Sequence, residues 1–353
     1  MPRRTATLLA STLTLIALLC AALLIPVPYS EMSPGPTVNT LGKHGGEPVL
    51  RISGRRTYPT SGHLNMTTVR VTSADYSMNL VEVVTGWLAH DEKVVEHDTL
   101  YPSGQTAEEA DQENAEEFTQ SQDSAKAAAL KELGIPVSSQ VIVSAVIKGG
   151  PSVGRLHAGD VIKSVDGTRV KAAGDVAKLV TRHKPGQKVT FTVVPQKSRT
   201  SKEVTITTEQ SDDSGRKRTV VGIGAGAEHT FPFGIDIKLA DVGGPSAGLM
   251  FALGIIDKLT PGDLTDGKFV AGTGTVDDDG KVGPIGGIDM KIIGARSKGA
   301  RYFFTPADNC AEAASGAPSG LRLIKVRTID DAMRALTNIR EGNTAALPKC
   351  SAG

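Results

Sequence analysis

The sequence predicts an α/β (α+β) domain combined with a small β-rich module, behind one N-terminal apolar helix. Three observations carry this expectation. Residues Thr5 to Ser30 contain no charge, residues 140 to 208 alternate short strands with Gly, Pro and Asp-Gly turns, and residues 219 to about 340 alternate strand-like with helix-like segments. At 353 residues the chain has room for two or three domains, each with an ample core. Its 39 Gly and 19 Pro, with few aromatics, favour turns and short strands over long helical bundles. A formal net charge of +1, without a basic stripe, gives no electrostatic case for nucleic acid as a partner. No internal repeat of solenoid length is visible.

The N-terminus sets the expected compartment. Most positions from Ala6 to Val27 are apolar, enough for a helix to cross a hydrocarbon layer of roughly 30 Å. Arg3 and Arg4 precede this run, so the positive-inside rule leaves the N-terminus in the cytoplasm and sends the rest outward. Tyr29 stands where an interfacial aromatic belongs. Residues 1–30 are therefore expected to be a signal anchor touching the cell membrane through residues 6–28, with the rest of the chain extracytoplasmic. A cleaved signal peptide is the competing reading. It is weakened because Leu23-Leu24-Ile25 continue the apolar run past the small-residue candidate Cys20-Ala21-Ala22. Lipidation at Cys20 would call for a small residue where Leu19 stands.

Residues 31 to 50, rich in Pro34-Gly35-Pro36, Gly42 and Gly45-Gly46, predict a linker leaving the membrane. Met66 to Thr72 predicts a strand, and the acidic, Gln-rich span Glu108 to Gln122 leads into a helix over Ser124–Leu133, stopped by Gly134 and Pro136. In the next segment Val141–Val146 predicts a strand, Gly149-Gly150-Pro151-Ser152 a turn, and Val161–Val165 a strand ending on Asp166-Gly167. A helix over Asp175–Thr181 and a strand over Val189–Val194 follow. Polar residues 209 to 218 predict a boundary. Beyond it lie strand Ile235–Leu239, helix Ser246–Leu259, strand Phe269–Gly272, helix Ile288–Lys298, strands Tyr302–Phe304 and Leu321–Val326, and helix Ile329–Leu336. Cys310 and Cys350 would both lie outside the cell, where disulfides persist, and neither has metal-ligand spacing. A Cys310–Cys350 bridge tying down the tail 341–353 is expected, with two independent thiols as the alternative.

Two residues carry the candidate chemistry. Ser246 lies in Gly244-Pro245-Ser246-Ala247-Gly248, where Pro245 opens the predicted helix and Ser246 projects from its N-terminus. Free backbone N–H groups and the positive end of the helix dipole converge there, so the N–H groups of Ser246 and Ala247 are oxyanion-hole candidates. A serine at a helix start is also an ordinary cap. Lys291 shifts the balance. Ile288, Lys291, Ile292 and Ala295 share one helical face, which places an amine in an apolar stripe. A snorkelling lysine is the plain alternative. Lowering a lysine pKa from about 10.4 to about 7 costs roughly 4 to 5 kcal/mol, seldom tolerated without a function. A neutral amine can take the serine proton and return it to a leaving amine.

Two resemblances follow from these residues. Leu156 to Gly167, with its Gly-Asp-Val-Ile run, strand and Asp-Gly, resembles a bacterial PDZ domain, which implies peptide capture at a sheet edge. Gly134-Ile135-Pro136-Val137 is a candidate carboxylate-binding loop. Ser246 in Gly-Pro-Ser-Ala-Gly, Thr273-Gly274 and Gly280-Lys281-Val282-Gly283-Pro284-Ile285-Gly286-Gly287 before Lys291 resemble the Lon proteolytic domain. That resemblance implies Ser246 as nucleophile, Lys291 as general base and Thr273 as the residue supporting the lysine. The whole arrangement is similar to membrane-anchored PDZ-containing Lon-like serine proteases of actinobacterial and firmicute type. It implies a layout of anchor 1–30, linker and N-terminal catalytic part 31–133, PDZ domain 134–211, Lon-type domain 212–340 and tail 341–353. The PDZ module would then be inserted in the catalytic domain; a separate N-terminal domain is the alternative. Ring-like homo-oligomers are implied by the family alone.

Departures and rivals complete the reading. Lon proteases usually carry Asp three residues before the serine; here Gly243 stands there, with Asp241 two residues earlier. No G-x-x-x-x-G-K-[ST] loop occurs, so the expected peptidase is ATP-independent and takes unfolded or flexible polypeptides. No cofactor or metal is expected: there is no H-E-x-x-H, and Asp277-Asp278-Asp279-Gly280 lacks the closing Glu of a Ca²⁺ loop and suits a hairpin turn. His229 could in principle pair with Ser246, against a solvated histidine. The rival from another class is a non-catalytic PDZ scaffold that keeps a Lon-like fold. Self-processing is a third possibility.

Overall fold

The computed structural model describes every residue except 1–2, 102–104, 197, 214–215, 241 and 352–353. Two compact units result: unit 1 comprises residues 1–135 and 233–353, and unit 2 residues 136–232. Unit 1 opens with helix α1 (Arg3–Leu24), among the described residues the one helix long and apolar enough to cross a membrane. Strand β1 (Tyr29–Asn39), β2 (His63–Val71), α2 (Leu80–Leu88), β3 (Lys93–Glu96) and α3 (Ala107–Glu132) follow. Unit 2 contributes β4 (Ser138–Val146), β5 (Val161–Val165), α4 (Ala173–Val180), β6 (Lys188–Val194), β7 (Lys202–Thr207) and β8 (Ile223–Thr230). Unit 1 then resumes with α5 (Gly248–Leu259), β9 (Phe269–Gly272), α6 (Ile288–Ser297), β10 (Tyr302–Pro306), α7 (Cys310–Ser315), β11 (Arg322–Val326) and α8 (Ile329–Arg340).

The main sheet of unit 1 runs in the order β11-β10-β9-β2-β1-β3. Strands β2, β9, β10 and β11 pair in parallel, while β1 is antiparallel to both neighbours. Helix α5 packs on α3, α8 and β2, and α6 packs on β1 and β2. Leu64, Met66, Phe251, Phe303 and Phe304 are fully buried at the centre.

The expected linker over 31 to 50 is a correction: it supplies β1, an interior strand. Ser30, Met32 and Val38 are buried, and the prolines are accommodated by a register shift between Pro34 and Thr37. Gly35 is required by the close pairing, since a Cβ there would lie 2.2 Å from Thr68 Oγ1. Helix α3 also begins earlier than Ser124. Thr106 and Glu109 form a reciprocal capping box, and Ala110, Phe118 and Ser121 bury a narrow stripe between the carboxylates. Its C-terminus explains Gly134: with φ +67 it closes α3, and Ile135 N–H donates to Leu130 O at 2.8 Å. Gly134 is thus a helix cap in unit 1, outside the sheet of unit 2.

In unit 2 the sheet order is β7-β6-β5-β4-β8, around a core of Val143, Leu156, Ile162, Val165, Phe191 and Ile206. The expected boundary at 211/212 falls inside this unit. Strand β8 pairs antiparallel with β4 from Ile223 opposite Val146 to Thr230 opposite Ser138. The polar span before it is a hairpin, Glu209–Asp213 with Arg216–Val220. Its polarity does not mark a separation of domains. In unit 1, Cys310 and Cys350 lie at disulfide distance with Cα atoms 4.9 Å apart, and Lys325 N–H donates to Pro348 O, holding the tail on β11.

Candidate active site

Ser246 sits in the turn that feeds α5, half-buried, while Ala247 and Gly248 are buried behind it. The helix begins at Gly248 and not at Ser246, because Ser246 O is committed elsewhere. It accepts from Gly274 N–H at 2.8 Å and from Thr273 Oγ1 at 3.0 Å, which binds the serine turn to the end of β9. Helix α3 grips the same turn from its other flank. Gly244 N–H donates to Asn114 O at 2.9 Å, and Ser121 Oγ donates to Pro245 O at 2.8 Å. Gly244 has φ +77, and a Cβ at Gly243 would stand 2.9 Å from Asn114 Cβ. Among the described residues, the N–H groups of Ser246 and Ala247 have no protein acceptor.

Lys291 arrives from α6. Gly287, with φ +65, caps that helix, and a Cβ there would meet Met32 Cε and Val69 Cγ1 at 2.8 Å. Ile288, Ile292 and Ala295 are fully buried, and Lys291 itself is 3% exposed. Its Nζ lies 2.7 Å from Ser246 Oγ and 3.3 Å from Thr273 Oγ1. Burial pushes the Lys291 ammonium down to about 7, through loss of hydration. The nearby carboxylate of Asp289 is turned to Lys93 Nζ at 2.7 Å. Thr273 is fully buried and its N–H donates to Phe304 O at 3.2 Å. A hydroxyl, an amine held near neutrality and two free N–H groups therefore meet in one place.

Other residues singled out in the sequence have surroundings of their own. His229 stacks on Phe231 in unit 2, with ring centroids 5.8 Å apart. Asp277 accepts N–H groups of Asp279 at 3.0 Å and Lys281 at 2.8 Å, the work of a turn-capping carboxylate. Asp241 lies outside the described residues. The contributions of Asn114 and Ser121 were missed. A serine within the Phe118–Ser121–Ala125 stripe was the available signal, but its target is 124 residues away. Asp257, fully buried in α5, was missed as well.

Comparison with known proteins gives two domain assignments. Residues 116–209 match the PDZ domain, and residues 240–338 match the Lon protease (S16) C-terminal proteolytic domain. The chain thus carries a PDZ domain together with a Lon-type proteolytic domain. Lon protease of Azospirillum brasilense is 36% identical over 94 residues, 26% of this chain and 11% of that protein. Lon protease of Phenylobacterium zucineum is 35% identical over 103 residues, 28% of this chain and 13% of the relative. A Pseudomonas fulva protein named "Probable periplasmic serine endoprotease DegP-like" is 35% identical over 81 residues, 23% of this chain and 17% of that protein. The matches therefore span only 11 to 17% of these relatives' lengths. Among solved structures, the PDZ domain of an SdrC-like protein from Listeria monocytogenes aligns at 24% identity and TM-score 0.22, covering 24% of this chain and 86% of that one. Its Listeria innocua counterpart aligns at 26% identity and TM-score 0.21, covering 24% and 90%.

Proposed function

We propose that this chain is an ATP-independent serine endopeptidase, anchored in the cell membrane by α1 with its catalytic unit outside. Ser246 is the nucleophile and Lys291 the general base. The observation that carries the reading is the 2.7 Å contact between Ser246 Oγ and a lysine amine buried among Ile288, Ile292 and Ala295. The neutral amine takes the Ser246 proton as Oγ attacks a peptide carbonyl. The carbonyl oxygen, now carrying the charge, is received by the N–H groups of Ser246 and Ala247. The Lys291 ammonium returns its proton to the departing amine, and water then releases the acyl group by the same path. Thr273 holds the amine in place and ties the serine turn to β9 through Ser246 O.

Substrate selection falls to unit 2. Strand β8 is an edge strand, paired on one side with β4 and packed beside α4. An extended polypeptide adding to its free side would gain main-chain hydrogen bonds and side-chain contacts with α4. Val221 and Gly222 lead into that edge: Ser152 Oγ donates to Val221 O at 2.6 Å, and Gly222 has φ +72. This edge stands beside Gly134–Val137 as a second candidate for the carboxylate end of the groove. Unfolded or flexible polypeptides are the substrate class that such an edge and an unassisted catalytic unit can accept.

The test is a comparison of the full chain with Ser246→Ala on an unfolded protein substrate. Cleavage by the parent and none by the variant is expected. A serine-directed phosphonate should label Ser246 in the parent and fail in Lys291→Ala. A folded parent chain that neither cleaves nor reacts would overturn the peptidase reading in favour of a peptide-binding scaffold.

A further inference from the structure

Outside α1 and Ile25, the exposed large apolar side chains among the described residues of unit 1 fall within one short stretch, residues 71 to 88. Five of them belong to α2: Leu80, Val81, Val84, Trp87 and Leu88, exposed by 38 to 83%. At about 100° per residue they span an arc of about 120°, a continuous stripe. The opposite side is firmly seated. Val83 and Gly86 are buried, and a Cβ at Gly86 would lie 2.6 Å from Val94 Cγ2. Asn79 and Glu82 close a capping box at its start. This is a well-made amphipathic helix with its apolar side turned outward.

Its position suggests what covers that side. Only residues 25–28 separate α1 from β1. Within this connection Pro26 bridges to Asn79, the cap of α2, and Val27 N–H donates to Met78 O at 2.8 Å. Helices α1 and α2 touch, and the Trp87 ring meets Tyr29 edge-on with centroids 5.9 Å apart. The apolar stripe therefore begins where the long apolar helix ends. Tryptophan and tyrosine are the side chains that settle at the boundary between headgroups and acyl chains. The helix carries no Lys or Arg, so attraction to anionic lipid is not what would hold it.

We infer that α2 lies in the outer interface of the lipid bilayer, with Leu80, Val81, Val84, Trp87 and Leu88 immersed, and docks the catalytic unit onto the membrane. This rests on α1 being the membrane anchor. The unit is then fixed against the bilayer, not swung on a tether, and meets polypeptides close to the membrane surface.

Trp87 is the chain's single tryptophan, so its emission reports on this helix alone. The full chain is reconstituted in zwitterionic phosphatidylcholine vesicles carrying bromine either near the carbonyl end of the acyl chain or deep within it. Shallow bromine is expected to quench Trp87 at least about twofold, deep bromine less, and aqueous iodide little. The paired exposed-site changes Val84→Glu and Leu88→Glu should remove most of the quenching while the chain still floats with vesicles after a carbonate wash. Circular dichroism checks that this variant is folded. A floating, wash-resistant chain whose Trp87 ignores bromine overturns the docking inference and leaves the anchor standing. A blue-shifted but unquenched Trp87 also overturns it, in favour of a second copy on the same stripe. A chain that does not float sinks the anchor and the docking together.

Discussion

Helices α5 and α6 each bury one ionisable side chain among apolar neighbours, with different results. In α6 the Lys291 amine finds the hydroxyls of Ser246 at 2.7 Å and Thr273 at 3.3 Å. In α5 the Asp257 carboxylate accepts Leu264 N–H at 2.9 Å through one oxygen, while its other oxygen has no partner among the described residues. Loss of hydration moves both toward neutrality, the lysine down to about 7 and the aspartate up to about 6. Burial alone therefore does not make a site. The lysine faces a half-buried hydroxyl beside two free N–H groups; the aspartate faces the backbone of its own loop. One shifted group touches a serine hydroxyl and the other holds a turn.

The largest effect should come from removing the amine. Lys291→Met is expected to lower peptidase turnover by about a thousandfold or more, measured on an unfolded substrate. The same change should stabilise the fold at low pH. Folded Lys291 titrates near 7 and an unfolded lysine near 10.4, so between them the unfolded chain holds the extra proton. Its burial penalty is complete below about pH 7 and is relieved as pH rises toward about 10. Urea melts should therefore show the variant more stable by up to about 4 kcal/mol near pH 6, with the gain fading in alkali. A variant less stable at every pH would break the contrast with an inert buried group. In the parent, activity should climb with pH through about 7 as the amine loses its proton.

Next in size is Thr273→Val, which removes one contact to Lys291 and one to Ser246 O. A fall in kcat of about ten- to a hundredfold is expected, recovered largely by Thr273→Ser, which retains the hydroxyl. Ser121→Ala sharpens the comparison from outside the site. It leaves Pro245 O without its donor, and should cost about 1 to 2 kcal/mol of stability with a rate loss near tenfold. Equal rates for this variant and the parent would mean that the grip of α3 on the turn is structural only.

The smallest effect on activity belongs to Asp257→Asn, where no change in rate is expected. Its stability signature runs opposite to that of Lys291. Folded Asp257 titrates near 6 and an unfolded aspartate near 3.9, so here the folded chain holds the extra proton. The parent's fold should weaken as pH rises through that window. The amide introduced by Asp257→Asn is a neutral acceptor for Leu264 N–H, so the variant should gain about 1 to 3 kcal/mol above pH 6 and little below pH 4. A loss of activity in this variant would place the α5 carboxylate in the catalytic machinery and erase the distinction.

Much of the architecture was legible before folding is considered. The uncharged N-terminal run, the alternating elements after residue 219 and the strand-turn rhythm between 140 and 208 are local patterns. Local periodicity fixes which face of an element is apolar. It also marks Lys291 as an oddity on an apolar face. Segments whose partners are remote were less legible. β1 looked like a linker because its prolines and glycines are unfavourable in an isolated strand, and only pairing with β2 explains them. No strand is predicted over residues 223–230, where β8 forms, because their small residues have little strand preference until β4 lies beside them.

A serine on a Gly/Pro turn and a lysine in an apolar helical stripe can both be read from the chain before it folds. Both are short-range facts, set by spacing and residue type. It takes the folded packing to show that these two groups touch, that Thr273 binds both, and that Asn114 and Ser121 of a distant helix hold the serine turn. Such contacts join positions 18 to 124 residues apart, or more. No local propensity encodes them; the packing of α3, α5 and α6 around one sheet does.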